Sequence, residues 1–250
     1  YLVRDNGACG YYRVDLPLKT ASEKKVLQAM RVEKGDDKSK FEEALSADVI
    51  VMPRPNEKQI VDAFPELQKE GKKIVVDFDD NMFLISPLSP HYREFGTREV
   101  KYKMPDSSIL NLWVDSKNFD LKSNIQRMEN IQKAIEVADV VTAPAQILAD
   151  VYKAYGAKKT CVLPNCVDMD LWQKLPLKET GETRLFWAGG YSHYEDWLLL
   201  KNVMPVIMQK YPDVILVLMG AMWESTLEGI PKDRIEFHKW VQTPAYPYKI

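Results

Sequence analysis

Cys161-Val162-Leu163-Pro164-Asn165-Cys166-Val167-Asp168 and, further on, Leu185-Phe186-Trp187-Ala188-Gly189-Gly190-Tyr191-Ser192-His193 decide the fold. The first is a short apolar strand, begun at Thr160, that runs into Pro164-Asn165. A polar connector with Asp168, Asp170, Trp172 and Pro176 separates it from the second, an apolar strand stopped by two glycines. Beyond the glycines, residues 195–210 carry Trp197, Leu200, Val203, Met204 and Ile207 at helical spacing, which predicts one helix. Strand, glycine turn and helix in succession present backbone N–H groups to an anion. The stretch reads as a domain junction followed by a phosphate-facing turn.

Toward the N-terminus the same grammar repeats. Tyr1–Val3 reads as the tail of a strand that feeds an Asn6–Gly10 turn, and Lys25–Val32 as a weak second strand. Lys38–Leu45 has helical spacing; Asp48–Met52 is an apolar strand stopped by Pro53 and Pro55. Glu57–Glu70 is an amphipathic helix despite Pro65, closed by Gly71. Lys73–Val76 is a strand that delivers Asp77-Phe78-Asp79-Asp80-Asn81 at its end. Residues Met82–Leu121, rich in prolines and aromatics, read as a functional lid or wall. Ser123–Val137 is a helix, Asp139–Thr142 a strand, and Ala145–Tyr155 a helix followed by Gly156. Strands alternating with helices imply a parallel sheet covered on both faces. The expectation is that Val49–Met52, Ile74–Val76, Val140–Thr142 and Cys161–Leu163 are neighbours in one such sheet.

The second unit continues with a strand at Val214–Met219, ending at Gly220, a third at Arg234–Phe237, and a helix from Ala245. The fold class is therefore α/β, with two Rossmann-like doubly wound parallel-sheet domains over 1–175 and 183–250. The second is short for a domain, so the native chain is expected to continue beyond Ile250.

Composition narrows the function. The 250 residues can hold two cores, and 46% hydrophobic with 28% charged residues is an ordinary soluble profile. A formal net charge of −2 argues against nucleic acid as a partner. No apolar run reaches the roughly 20 residues of a transmembrane segment. Cys9, Cys161 and Cys166 are too few for a secreted disulfide framework, which predicts reduced thiols and a cytoplasmic setting. A Cys161–Cys166 bridge and peripheral attachment to a membrane stay open.

Candidate site residues carry two readings each. Gly189, Gly190, Ser192 and His193 would hold a diphosphate, or the glycines would serve close packing alone. Asp77, Asp79 and Asp80 would face acceptor hydroxyls or a hard cation; otherwise Asp80 caps a turn and Asp77 pairs with a nearby base. Gly10 with Tyr11, Tyr12 and Arg13 would touch a ligand, or supply a core tyrosine and a surface arginine. Glu224 and Glu228 read as a solvated face, and His91 and His238 are assigned no chemistry.

The residues resemble a known family. Val162-Leu163-Pro164-Asn165-Cys166-Val167-Asp168 with Trp172 is similar to the Pro-Asn-Gly-Val-Asp signature at the domain junction of two-domain glycosyltransferases. Arg184–His193 through Asp196 resembles the first strand and turn of their donor domain, and Asp77–Phe83 an acidic motif of a subset. Pro231–Pro247 is similar to the segment ahead of the donor-sugar pocket. The resemblance is to GT-B glycosyltransferases of the retaining family 4 type (group 1), and it covers most of the chain.

It implies an enzyme moving a sugar from a nucleotide sugar to a carbohydrate or other hydroxyl acceptor, as in polysaccharide biosynthesis, with retention, no cofactor and no metal. Donor contacts then fall on Gly189, Gly190, Ser192 and His193, and acceptor or cleft contacts on Gly10, Arg13, Asp79, Asp80 and Asn81. Two departures stand against it. The turn lacks the family's Arg and Lys, with His193 as the one candidate cation, and the family's paired glutamates are not in this stretch, since they would lie beyond Ile250. The alternative is a catalytically inactive glycosyltransferase-like binding or structural protein; an epimerase of similar shape has only the fold to recommend it.

Overall fold

A computed structural model describes residues 2–3, 8–33, 36–103, 106–114, 116–173 and 181–241. Its strands, in chain order, are β1 (Leu2–Val3), β2 (Val32–Glu33), β3 (Val49–Pro53), β4 (Lys73–Asp77), β5 (Val100–Lys103) and β6 (Ile109–Leu112). β7 (Val140–Ala143), β8 (Thr160–Val162), β9 (Thr183–Gly189), β10 (Val214–Gly220) and β11 (Ile235–His238) follow. The chain divides into two compact units. One holds Tyr1–Leu84 and Asp120–Trp172, the other Ile85–Phe119 and Gln173–Ile250.

In the first unit β3, β4, β7 and β8 form one parallel sheet in that order, as the apolar runs predict. β1 pairs in parallel with β2 and lies beside β3. Strand order therefore runs outward in both directions from the β1–β3 neighbourhood. Right-handed crossovers then put helices on both faces, the doubly wound arrangement.

Each crossover helix has a local cause. Lys58–Lys69 buries Val61 and Phe64, spaced by three. Leu121–Val137 buries Met128, Ile131, Ala134 and Ile135, and the Asp120 side chain caps it by accepting from the Ser123 N–H. Gly71, at φ +87°, takes the left-handed turn after the first of these helices. The two helices pack on each other, the first also on β4, and Ile74, Val76 and Val141 of the sheet are fully buried.

The second unit carries a parallel sheet of order β11-β10-β9. Leu216 and Leu218 of β10 pack with Trp197, Met204, Met208, Val214 and Ile230, while Leu185 and Trp187 of β9 are only partly buried. β5 and β6 make an antiparallel hairpin within this unit.

Three expectations are corrected. The single helix at 195–210 is two, Tyr194–Leu200 and Met204–Lys210. Pro205 has no N–H to give the preceding turn and is tolerated only near a helix start, where it now lies. Lys25–Val32 is not a strand: the chain is helical from Ala8 through Glu23, turns at 24–26, and pairs only at Val32–Glu33. Gly10 accordingly is a buried residue with helical φ and ψ of −58° and −43°, not part of an open turn. The helix expected from Ala245 and most of the connector between the two sequence-assigned domains lie outside the described residues.

Candidate functional site

Two loops lie at carboxyl ends of parallel strands, where open α/β sheets hold ligands. In the first unit, β4 ends at Asp77. Its carboxylate is buried, accepts from Arg13 Nε at 3.1 Å and from the second guanidinium edge, and also accepts from the Thr142 hydroxyl. The same guanidinium donates to Asn165 Oδ1 at 3.0 Å and to the Leu163 carbonyl.

Arg13 is therefore neither a surface arginine nor an acceptor contact. It is 4% exposed and ties the N-terminal helical segment to β4 and to the Pro164-Asn165 junction. Asp77 takes the paired role that the sequence left as an alternative.

The remaining acidic residues diverge. Asp79 lies 3.5 Å from Arg54 Nε, and Arg54 itself sits in left-handed backbone at φ +43°. Asp80 is exposed, and its carbonyl accepts from the Tyr152 hydroxyl. Asn81 closes the following turn: its Oδ1 accepts from the Phe83 N–H and its carbonyl from the Leu84 N–H. Among the described residues no three His, Cys, Asp or Glu side chains gather as a metal site would require.

Tyr152 fixes this loop from below. It is fully buried, stacks on Phe78 at 4.7 Å, and its oxygen accepts from the Met82 N–H at 3.3 Å. Burial raises its pKa well above 10.0, with the Asp80 and Asp79 charges pushing the same way against the Met82 hydrogen bond. The folded state thus holds the phenol proton more tightly than the unfolded chain does. The stabilisation is complete below pH 10.0 and drains away as pH rises through the folded-state pKa. We expect stability above pH 10.0 to fall by up to about 1.4 kcal/mol per pH unit on this account, and Tyr152→Phe to remove that component. Urea titrations from pH 9 to 11 would read it; equal slopes in the two proteins would refute it.

In the second unit β9 ends at Gly189-Gly190, and Tyr191–His193 forms a single 3-10 turn before the helix Tyr194–Leu200. The two glycines differ. A Cβ at Gly189 would stand 2.7 Å from the Trp187 ring, and the Gly189 carbonyl accepts from the Ala221 N–H at 2.8 Å. Gly220, at φ +99°, abuts it so closely that a Cβ there would meet the Gly189 oxygen at 2.5 Å. Packing alone explains both.

Gly190 is otherwise. Its φ of −83° and ψ of 179° suit any residue, and a Cβ would meet nothing nearer than Ser192 Oγ at 4.0 Å. His193 is exposed and its Nδ1 lies 2.8 Å from Asp196 Oδ2. With Nδ1–H given to that carboxylate, only the protonated ring would donate from Nε2. The His193 N–H bonds the Gly190 carbonyl, so it is not among the donors that face a ligand.

Beside the turn lies an open cleft of about 460 Å³, lined by Pro90, His91, Arg93, Trp113, Tyr191 and Ser192. Sequence reasoning placed Tyr191 and Ser192 in this turn and missed the other four. The only signal for those four was the proline- and aromatic-rich character of 82–121, which says nothing about which sheet that segment joins.

The thiols of Cys9, Cys161 and Cys166 are unbridged. Among the described residues no helix is long and apolar enough to cross a membrane.

No family model matches the chain, and no curated protein does. Solved structures do. The S. aureus MnaA–UDP co-structure is similar at 12% identity and a TM-score of 0.47, over 98% of this chain and 68% of that one. Glycyrrhiza uralensis UGT73P12, complexed with glycyrrhetinic acid 3-O-monoglucuronide, is similar at 11% and 0.40, over 93% and 51%. Phytolacca americana UGT2, complexed with UDP-2-fluoro-glucose and pterostilbene, is similar at 9% and 0.37, over 82% and 52%. Likeness this distant carries no weight for substrate or chemistry.

Proposed function

We propose that the protein is a GT-B glycosyltransferase. It moves a sugar from a nucleotide-diphosphate donor to a hydroxyl acceptor, with retention and without a metal. The observation that carries this reading is Gly190. It follows the last residue of a parallel strand, neither its dihedrals nor its surroundings require glycine, and the space where a side chain would stand is open. A glycine that the fold does not need, at the edge where α/β sheets hold ligands, fits close approach of a phosphate oxygen to the backbone.

The donor domain is the second unit, from about residue 183 onward. Its turn stabilises the departing diphosphate through backbone N–H groups, the Ser192 hydroxyl and the His193 imidazolium. The acceptor domain is the N-terminal unit within 1–175, where exposed Asp80 and half-buried Asp79 are the candidate contacts for acceptor hydroxyls. Gly10, Arg13 and the Asn81 side chain leave that list, being buried or engaged in the fold.

The test is calorimetric titration with a panel of UDP-, ADP- and GDP-sugars, followed by a transfer assay with the sugar that binds. Gly190→Val should abolish measurable donor binding while changing stability by less than about 0.5 kcal/mol. His193→Ala should weaken binding roughly 10- to 150-fold, the worth of one charge-assisted hydrogen bond. Wild-type affinity in both variants would make the turn structural and favour a protein without catalysis.

A further inference from the structure

The cleft beside the glycine turn is walled mainly by rings. Trp113, Tyr191, His91 and Pro90 line it, and Ser192 and Arg93 complete it. Its volume of about 460 Å³ lies within the roughly 300–1,000 Å³ of small-molecule sites. Both parts of the wall belong to the second unit, which joins Ile85–Phe119 to Gln173–Ile250.

The fold does not account for the two large rings. Tyr191 is 63% exposed and meets Trp223 edge-on at 6.1 Å. Trp113 is half-buried, and its backbone is left-handed at φ +68°, a strained conformation for a bulky residue. Such strain persists only where the surroundings over-determine it, and it gathers at ligand clamps. The indole is fixed from two sides: Nε1–H donates to the Pro87 carbonyl at 2.6 Å, and the Arg93 guanidinium carbon stands 5.4 Å from the ring centre. Its one polar atom is thus used, and what it offers a ligand is apolar ring surface.

The remaining polar groups narrow the ligand. The Ser192 and Tyr191 hydroxyls and the neutral His91 imidazole each donate and accept. Among the described residues none of these three groups has a hydrogen-bond partner. The lining holds no carboxylate to attract a cation and no carboxamide to read the edge of a nucleobase. Rings beside donor–acceptor groups fit a neutral molecule with an apolar face and a rim of hydroxyls. A pyranose has both: its C–H face meets the negative face of an aromatic ring, and its hydroxyls donate and accept.

We infer that this cleft holds a neutral pyranose ring against Trp113 and Tyr191, with the Ser192 hydroxyl and the His91 ring at its hydroxyls. Arg93 steadies Trp113, and its charge is not called on. The pyranose is a free glycoside or the glycosyl group of a nucleotide sugar. Only the second source rests on the transferase reading above; glycoside binding stands without it.

The experiment titrates the full chain with methyl pyranosides of glucose, galactose, mannose and N-acetylglucosamine, and with maltose and cellobiose. UDP-, ADP- and GDP-sugars, their parent diphosphates and the free nucleosides are titrated alongside. Either a glycoside should bind, or a nucleotide sugar should bind more tightly than its parent diphosphate. Tyr191→Ala and Trp113→Leu should each weaken that sugar-dependent affinity roughly 2- to 12-fold, and Tyr191→Phe should retain most of it. Melting temperatures serve as the fold control, and exposed Tyr191 keeps the test valid should Trp113→Leu not fold. Ring-dependent glycoside binding without binding of any nucleotide sugar would uphold the cleft and defeat the transferase reading. A nucleotide sugar bound equally well by wild type, Tyr191→Ala and Trp113→Leu, with no glycoside bound, would do the reverse. Ring-dependent binding of a free nucleoside would make the cleft a base site and overturn the inference, as would failure of every sugar to bind.

Discussion

Asp77→Ala is expected to destabilise the first unit by about 3–5 kcal/mol, the cost of leaving a buried charge without its partner. The side chains of Arg13 and Asp77 are 3% and 4% exposed, so water does not take over the solvation of the guanidinium that remains. The loss reaches further than one pair. The same guanidinium holds the Leu163 carbonyl and Asn165, so the junction segment after β8 loosens with it. Arg13→Ala should cost as much, since it strands the carboxylate. The double variant Arg13→Met/Asp77→Leu should be less unstable than either single one, because it removes both charges and keeps most of the volume. Urea unfolding followed by circular dichroism measures all three. A loss below about 1 kcal/mol for Asp77→Ala would place the pair in the class of exposed ion pairs and refute its burial.

The second large effect is expected at Trp197. Trp197→Ala should cost about 3–5 kcal/mol, the range for truncating a fully buried aromatic. Trp197 is 1% exposed and packs edge-on against Trp187 at 5.3 Å between ring centres. Its Nε1–H donates to the hydroxyl of buried Thr226, which in turn donates to the Trp223 carbonyl. Trp223 makes edge or tilted contacts with Trp187, Tyr191 and Tyr194. This aromatic cluster stands directly behind the glycine turn, and Trp187 is the ring that makes Gly189 necessary. On the proposed function, Trp197→Ala should therefore lower donor affinity as well as stability, although Trp197 is not among the residues lining the cleft. Trp197→Phe keeps a ring and loses one hydrogen bond, so a smaller loss on the order of 1 kcal/mol is expected. Equal losses in the two variants would mean that the indole's packing contributes little beyond its N–H.

Much of the fold was legible in the residues alone. Hydrophobic periodicity is a local property, so Ile74–Val76 and Val140–Thr142 read as buried strands, and Val61, Phe64, Met128, Ile131 and Ile135 as inward helical faces, without knowledge of their partners; Ile125, read on the same face, is exposed. The alternation of such segments leaves a parallel sheet as nearly the only way to bury them. The apolar spacing from Trp197 to Ile207 gave one helix, and Pro205, which that reading passed over, is where the chain starts a second one.

The site was legible only in outline. Glycines after an apolar strand mark a turn, but whether packing or a ligand needs each one depends on what stands where its Cβ would be. That is a tertiary fact: Trp187 occupies the place at Gly189, and nothing occupies it at Gly190. Ion pairing is likewise invisible along the chain. Arg13 and Asp77 are 64 positions apart, and only the sheet brings them together. The segment 85–119 sits between two elements of the first unit yet folds with the second, because long-range packing and not chain order decides which core a loop joins. Sequence determined the elements and the glycine turn; tertiary structure decided which charges are spent on the fold and which glycine has open space where its side chain would stand.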